Sequence, residues 1–537
     1  MAWRQKRLPQ NSNPCMNVPD IHREIIDLLF SLNPSPSDVT RLKLAVCSRY
    51  RLPAVPKNSA LLAAARPDER AALRELLLVK PTRTLSGVAP VAVMTSPFPC
   101  PHGKCLPCPG GPAHPFASPQ SYTGEEPAAL RAREHGYDPY SQVAARLGQF
   151  ELLGHHVDKV ELIVMGGTMT ARPEEYQEWF VTSCVRAMNE YRGVPSPGDA
   201  AAVFRRNEYA PVRCVAITFE TRPDWCREQE ISRMLALGVT KVELGVQQID
   251  DRILAFNRRG CTTGDAIRAN RLLRNAGLKV GFHIMPNLPG ADIRDDRRMF
   301  RELFDNPSFR PDFLKIYPTL VTPGSEIEKL WQDGAYAPYD EEAQIDLIAY
   351  GKSLLPEYVR LQRIQRDIPA KLIVAGSRHS NFRQLCQNRL REQGKRCRCI
   401  RCREAGRLPP GLTHELRTLR YEAVGGEEHF ISAVSGDSLI GFARLRTGGD
   451  RVMEEVCSAA LLRELHVYGS VVPLGSMPAP DQRQHRQTGR ELLDAAGEAA
   501  VAEGCRTIAV MSGIGVRPYY RRHGYERRGP YMVKELP

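Results

Sequence analysis

Pro97-Phe98-Pro99-Cys100-Pro101-His102-Gly103-Lys104-Cys105-Leu106-Pro107-Cys108-Pro109-Gly110-Gly111 sets three cysteines at C-x4-C-x2-C spacing, in a run too rich in Pro and Gly to form a helix. Such a loop can wrap three thiolates around one inorganic centre. Three ligands on a four-iron, four-sulfur cluster leave one iron without a side chain, where a small molecule can coordinate and be reduced. The competing reading is a zinc loop, but structural zinc asks for four closed ligands. No fourth cysteine stands nearby, and His102 and His114 are the substitutes on offer.

Around this loop, residues 81–375 alternate strand and helix. Lys159–Met165, Cys214–Glu220, Lys241–Gln248, Lys279–Ile284, Phe313–Tyr317 and Val359–Ile364 read as short β-rich runs. Helices are predicted over Cys226–Leu237, Thr262–Asn275 (opened by a Thr262…Asp265 capping box), Arg294–Phe304 and Asp340–Leu354. Repeated βα units predict a parallel sheet closing wholly or partly into a TIM-like barrel, with ligands bound at the C-terminal mouth of its strands.

Outside the barrel, residues 1–80 are basic and Pro-interrupted, with helical spacing over Ile21–Leu32 and Ser59–Leu78. They read either as a helical cap or as a nucleic-acid arm using Lys6, Arg7, Arg41, Lys43, Arg49 and Arg51. Residues 376–414 are basic and hold Cys397-Arg398-Cys399-Ile400-Arg401-Cys402. C-x-C-x2-C supplies three soft ligands for zinc, with His414 and His379 as candidates for the fourth and Cys386 behind them. Residues 415–537 read as a separate α/β domain. Strands are predicted over Arg420–Val434, Ser438–Leu445, Leu461–Pro473 and Thr507–Met511, and helices over Arg490–Ala502 and Pro518–Tyr525.

At 537 residues, two or three domains are expected. The apolar share of 42% and charged share of 25% fit a soluble globular chain. No apolar run is long enough to cross a membrane and no signal-peptide pattern opens the chain, so no membrane partner is expected. Lys and Arg outnumber Asp and Glu by 74 to 61, for a net charge of +13, which suits a polyanionic partner. The fifteen cysteines form two tight groups of three plus singles, the pattern of metal ligation in a reducing cytoplasm.

Taken with Gln120-Ser121-Tyr122-Thr123-Gly124, Val164-Met165-Gly166-Gly167-Thr168, Glu220-Thr221-Arg222-Pro223-Asp224, Pro311-Asp312, Tyr317-Pro318-Thr319-Leu320, Arg463-Glu464-Leu465-His466-Val467-Tyr468-Gly469-Ser470 and Gly529-Pro530-Tyr531-Met532-Val533-Lys534, the cysteine loop resembles the catalytic subunit of Elongator in its single-chain bacterial or archaeal form, over nearly the whole chain. The resemblance implies a radical S-adenosylmethionine (SAM) barrel joined to a GNAT-type acetyltransferase domain. It also implies the first step of carboxymethyl-type modification at carbon 5 of wobble uridine, with the anticodon loop of tRNA as partner and acetyl-CoA as co-substrate. On this footing Cys100, Cys105 and Cys108 hold the 4Fe-4S cluster, and SAM lies against Gly166, Gly167, Glu220, Gln247 and His283. Cys397, Cys399 and Cys402 hold zinc, with His414 as fourth ligand. Acetyl-CoA lies against Glu464, His466, Val467, Gln484-His485-Arg486-Gln487-Thr488-Gly489 and Tyr520, with Tyr519 and Tyr520 as proton donors.

The sequence departs from the family at one point. The pyrophosphate loop of GNAT domains reads Q/R-x-x-G-x-G/A, and here Gln487 takes the first glycine position. If that position needs a positive φ or a close approach of phosphate, Gln costs about 1 kcal/mol or more. Two rival functions follow: a protein lysine acetyltransferase with a structural cluster, and a catalytically impaired tRNA-binding scaffold using the arginines of 378–403. The single-chain form acts alone or as a homodimer, and no partner subunit is readable.

Overall fold

The computed structural model describes residues 18–35, 38–78, 87–113, 117–193, 195–405, 413–468 and 487–537. Lys6, Arg7, His114 and Gln484 to Arg486 lie outside the described residues, as does the predicted strand beyond Tyr468. No described helix is long and apolar enough to cross a membrane.

The chain forms two compact units, the smaller from residues 1–84 with Ala145–Val157 and the larger from the rest. In the smaller, helices Val18–Leu32, Val39–Arg49, Asn58–Ala64 and Arg70–Leu77 bury Ile21, Ile25, Leu29, Leu42, Val46, Leu61, Leu73 and Leu77 together. The single helix expected over Ser59–Leu78 is broken. Ala65 turns extended (φ −71°, ψ 144°) just ahead of Arg66-Pro67, where the proline ring disfavours helix at Arg66 and removes the N–H that would continue the ladder. The arm reading loses support here, because Arg49 pairs with Glu24 at 2.7 Å and the buried Lys43 donates to Asn58 Oδ1 at 2.7 Å.

In the larger unit, seven strands run parallel in sequential order. They are β1 Ala89–Met94, β2 Lys159–Met165, β3 Arg213–Thr221, β4 Lys241–Gln247, β5 Lys279–Ile284, β6 Phe313–Ile316 and β7 Arg360–Ile364. The sheet is a partial barrel with β1 and β7 at its edges. β1 escapes the sequence reading because Pro90 argues against a strand, and an edge strand is where proline is tolerated. The helices Glu228–Ala236, Thr263–Asn275, Ile293–Asp305 and Glu341–Ser353 fall where predicted, and Thr262 and Asp265 cap each other reciprocally.

A second seven-stranded sheet follows, in the order β13-β14-β12-β11-β10-β9-β8. Its strands are β8 Glu415–Ala423, β9 Gly426–Ser435, β10 Ser438–Thr447, β11 Ala460–Val467, β12 Thr507–Val510, β13 Glu526–Arg528 and β14 Tyr531–Glu535. The strand expected over Arg420–Val434 is a hairpin. It folds back at Val424 (φ 43°) and Gly425 (φ 74°), a left-handed pair without the Asn-Gly signature that marks such turns. Among the described residues, β11 and β12 pair in parallel over Ala460–Leu462, and from Arg463 to Val467 β11 is bonded only to β10. The helix Thr488–Ala502 covers this sheet, burying Leu492, Leu493 and Ala496 against Ile431, Ala443 and Leu462.

The second sheet is fastened to the barrel by buried charge. Arg463 chelates Asp312 at 2.7 and 2.8 Å and donates to Glu428 at 2.6 Å. Arg274 joins Glu428 at 2.9 Å, Arg446 joins Glu428 at 3.0 Å, and Arg444 joins Glu464 at 2.8 Å. All four guanidiniums, Asp312 and Glu428 are at most 1% exposed. Glycine makes the close approach possible beside them: a Cβ on Gly513 would overlap the carbonyl oxygen of Val215 in β3.

Candidate active site

The cysteine loop is held open by turns: Gly103 N–H donates to Cys100 O (3.0 Å) and Cys108 N–H to Cys105 O (3.1 Å). Leu106 N–H bonds Asn257 O, and Leu106 O accepts from Ile327 N–H, so the loop is anchored to segments that follow β4 and β6. Each sulfur has its own polar neighbour. Thr168 Oγ1 lies 3.5 Å from Cys100 Sγ, His102 Nε2 lies 3.0 Å from Cys105 Sγ, and Gln120 Nε2 donates to Cys108 Sγ at 2.9 Å. Burial pushes the Cys100 and Cys105 thiols up, and the Arg259 guanidinium pulls Cys105 part of the way back.

The spacing of the donors bears on what they hold. The sulfurs of Cys397, Cys399 and Cys402 all lie within 4.8 Å of one another, whereas those of Cys100, Cys105 and Cys108 do not share such a neighbourhood. A single tetrahedral zinc with bonds of about 2.3 Å needs sulfurs about 3.8 Å apart. The second triad therefore fits a mononuclear ion. His414, expected as the fourth zinc ligand, is instead bound to Glu491 at 2.7 Å, and His379 to Glu341 at 2.8 Å; neither joins the three cysteines. Cys399 is held below the usual thiol range by hydrogen bonds from Cys397 and Cys402.

Next to the cluster loop, Gly166 (φ 120°) and Gly167 (φ 96°) end β2 in left-handed backbone. A Cβ on Gly166 would overlap Thr95 Oγ1, and one on Gly167 would stand 3.3 Å from Gln120 Cβ. The barrel lumen then runs inward as a charged column. Glu220 accepts from Tyr122 OH (2.7 Å) and Lys315 Nζ (3.1 Å); Lys315 also bonds Glu243, which contacts His283 Nε2 at 3.1 Å. Below them Lys241 pairs with Glu161 at 2.8 Å. Burial opposes every charge here, yet Lys315 and Lys241 hold Glu243 well below the carboxylate range. Burial and Lys315 lower His283, leaving it a neutral imidazole. Gln247 closes the column at the mouth, with φ 68° and its buried Oε1 without a partner among the described residues. Strained backbone and an orphaned acceptor together mark a ligand contact.

Sequence reasoning placed Glu220, Gln247 and His283 here but missed Glu243 and Lys315. Both belong to the 2-residue alternation that aims side chains into a lumen, and a charged residue inside an otherwise apolar strand was the available signal. It also missed the buried Arg259, whose Nη1 lies 3.9 Å from Cys105 Sγ.

In the second sheet, a Cβ on Gly489 would stand 3.2 Å from Tyr519 OH and 3.7 Å from Val467 Cγ2, so three expected residues converge beside the unpaired end of β11. Thr488 opens the helix, and Gln487 precedes it at φ 11°, ψ −34°. His466 Nε2 is buried without a partner among the described residues. Glu464 is committed to Arg444. Of the tyrosine pair, Tyr519 faces Gly489, while Tyr520 is 6% exposed and packs in the hydrophobic core. The arginines of 378–403 are largely spent: Arg389 on Glu342 and Asp346, Arg396 on Asp437, Arg398 on Glu357, and Arg378 on the carbonyls of Ile373 and Val374.

A partial parallel barrel with three cysteines in a glycine-flanked loop at its mouth is a radical SAM barrel, and the model of the Radical SAM superfamily matches residues 99–303. The Radical_SAM C-terminal domain matches 311–392 and the ELP3 N-terminal domain 18–85. The tRNA uridine(34) acetyltransferase of Methanocaldococcus jannaschii is 48% identical over 493 residues, 90% of each chain. Elongator complex protein 3 of Homo sapiens is 40% identical over 517 residues, 93% of each. The solved structure of archaeal Methanocaldococcus infernus Elp3, with an N-terminal deletion, covers 84% of this chain and 100% of its own at TM-score 0.74 and 44% identity. The chain belongs to the Elongator complex protein 3 family.

Proposed function

We propose that this protein attaches a two-carbon, carboxymethyl-type unit to carbon 5 of the wobble uridine of tRNA, drawing it from acetyl-CoA. The observation that carries the reading is the three-cysteine loop beside a charged lumen that ends in Gln247, with φ 68° and a buried Oε1 without a partner among the described residues. A 4Fe-4S cluster held by Cys100, Cys105 and Cys108, with SAM on its open iron, would supply the one-electron chemistry that an unreactive ring carbon requires. The chain's own residues do the rest. Gly166 and Gly167 leave room for the amino-acid end of SAM, and Gln247 offers an acceptor to its nucleoside. Burial and Lys315 keep His283 a neutral imidazole while Glu243 orients its Nε2, and burial keeps water from a reactive intermediate.

The parting of β11 from β12 beside Gly489 and Tyr519 supports a GNAT-type acetyl-CoA site, where free backbone groups of β11 can bind the pantetheine arm and the start of helix Thr488–Ala502 faces pyrophosphate. Tyr519 is the better placed proton donor. Cys397, Cys399 and Cys402 hold zinc with a fourth ligand other than His414. The protein works in the cytoplasm.

The test is an anaerobic assay of reconstituted protein with tRNA, SAM, acetyl-CoA and a strong reductant, read by nucleoside mass spectrometry. A carboxymethyl-type mark on uridine, lost in Cys105→Ser, is expected. Unmodified uridine with SAM cleaved would overturn the acetyl half of the reading, and acetylated lysine with no SAM requirement would overturn the whole.

A further inference from the structure

Where the second sheet abuts β3, guanidiniums gather without carboxylates to match them. Arg205 and Arg206 end the helix Ala200–Asn207, Arg213 opens β3, Arg521 and Arg522 close the short helix Arg517–Arg521, and Arg527 lies on β13. The stretches 200–213 and 515–527 that carry them are far apart in sequence but meet in the fold. A Cβ on Gly515 would stand 2.5 Å from Arg213 Cβ, so the loop before the short helix is pressed onto the barrel. Arg521 Nη1 then reaches across to Glu208 Oε2 at 2.5 Å and Tyr209 OH at 3.1 Å.

Glu208 is 2% exposed and already shared between Arg517 and Arg521. Among the described residues, Arg205, Arg206, Arg213, Arg522 and Arg527 form no ion pair within 4.0 Å. Arg213 is half-buried, and burial first and the neighbouring Arg522 second depress its guanidinium, against the pull of Asp158. Among these cations stands Tyr209, 66% exposed, more than any other large apolar side chain among the described residues, with its hydroxyl held by Arg521.

Guanidiniums without an ion pair, exposed at Arg205, Arg206, Arg522 and Arg527 and half-buried at Arg213, around a held aromatic ring match a phosphate backbone with an unstacked base. A carboxylate-rich peptide would satisfy the arginines and leave the ring in water. We propose that this seam is a docking surface for RNA, binding phosphates through Arg205, Arg206, Arg213, Arg522 and Arg527 and stacking a base on Tyr209. It rests on the reading of tRNA as substrate and adds to that reading a binding area far along the chain from the cluster loop.

The test compares the full chain with the triple variant R205A/R206A/R522A, whose residues are exposed and outside every hydrophobic core, by fluorescence anisotropy of labelled tRNA across a salt series. Equal melting temperatures establish that the variant is folded. The expected result is an affinity at least about tenfold weaker and a log K against log salt slope shallower by about 2–3, at roughly 0.7–0.9 for each phosphate no longer neutralised. Tyr209→Ala should weaken binding several-fold while keeping the slope, because stacking releases no counterions. Unchanged tRNA affinity and slope in the triple variant would overturn the docking surface and leave the proposed function standing. Loss of poly-glutamate binding with tRNA binding intact would overturn it in favour of an acidic protein. No salt-dependent tRNA binding by the wild type would sink the proposed function itself.

Discussion

Replacing Asp312 by Asn would test how the two sheets of the larger unit are joined. Asp312 is fully buried and accepts from Arg463 at 2.7 and 2.8 Å and from Val280 N–H at 2.9 Å, with Arg274 at 3.3 Å and Arg444 at 3.5 Å. The seam holds Arg274, Arg444, Arg446 and Arg463 against Asp312, Glu428 and Glu464, so cations already outnumber anions. Burial, with Arg274 and Arg463 nearby, pushes even Arg446 down to about 10, against the pull of Glu428. Asp312→Asn keeps the shape and the acceptor for Val280 but deepens the imbalance by one charge. Breaking a buried pair in this way costs about 3–5 kcal/mol. For a cooperative unit of several hundred residues that is a fall in Tm of about 3–5 °C.

Scanning calorimetry would measure this fall, and the double variant Asp312→Asn/Arg444→Met should recover at least about 1 kcal/mol, because it removes the surplus cation. The pH dependence has a definite sign. Asp312 and Glu428 are held below their unfolded values, since the arginines outweigh burial. Their contribution is therefore complete above pH ~4 and is lost only as pH falls below that. A variant melting within about 1 °C of the wild type, or a wild-type seam that opens at about pH 5, would refute the reasoning.

Three further outcomes are expected. Gly166→Ala places a methyl group on Thr95 Oγ1 at φ 120°, and should cost well over about 1 kcal/mol and abolish SAM binding measured by equilibrium dialysis while the protein still folds. Gln120→Leu removes the donor to Cys108 Sγ and Gly110 O, so the reconstituted protein should carry less iron and lose it faster to a chelator, with a stability loss of about 1–3 kcal/mol. Asp296 is pushed up to about 7 by burial, despite donors from Asn287 N–H, Tyr339 OH and Gln248 Nε2. A carboxyl raised in the fold is stabilising while protonated, so wild-type stability should fall as pH rises from about 4 to 7, and Asp296→Asn should flatten that fall in denaturant titrations.

The barrel was legible because its signals are local. Lys159–Met165 and Lys279–Ile284 are strands to the residue, the Thr262–Asp265 box caps the helix it was expected to cap, and cysteine spacing alone indicated a three-ligand centre. Local signals fail where a residue's role depends on what faces it. Val424-Gly425 carries no turn signature, yet the pairing of β8 with β9 forces a left-handed pair there. His414 lies near the second cysteine group in sequence, but its strand carries it to Glu491. The linker arginines look like an RNA surface until their carboxylates are seen, whereas the arginines without an ion pair among the described residues near Tyr209 come from four segments: the helix Ala200–Asn207, β3, the end of the helix Arg517–Arg521, and β13.

Spacing along a chain determines which ligands can share one loop and which side chains share one face. Whether a charge is spent or free is decided by long-range packing, because a carboxylate dozens or hundreds of residues away neutralises a guanidinium as completely as one four residues away. Strand and helix alternation was enough to read the barrel, and spacing was enough to single out two groups of three cysteines. Long-range packing settled which guanidiniums keep a carboxylate partner.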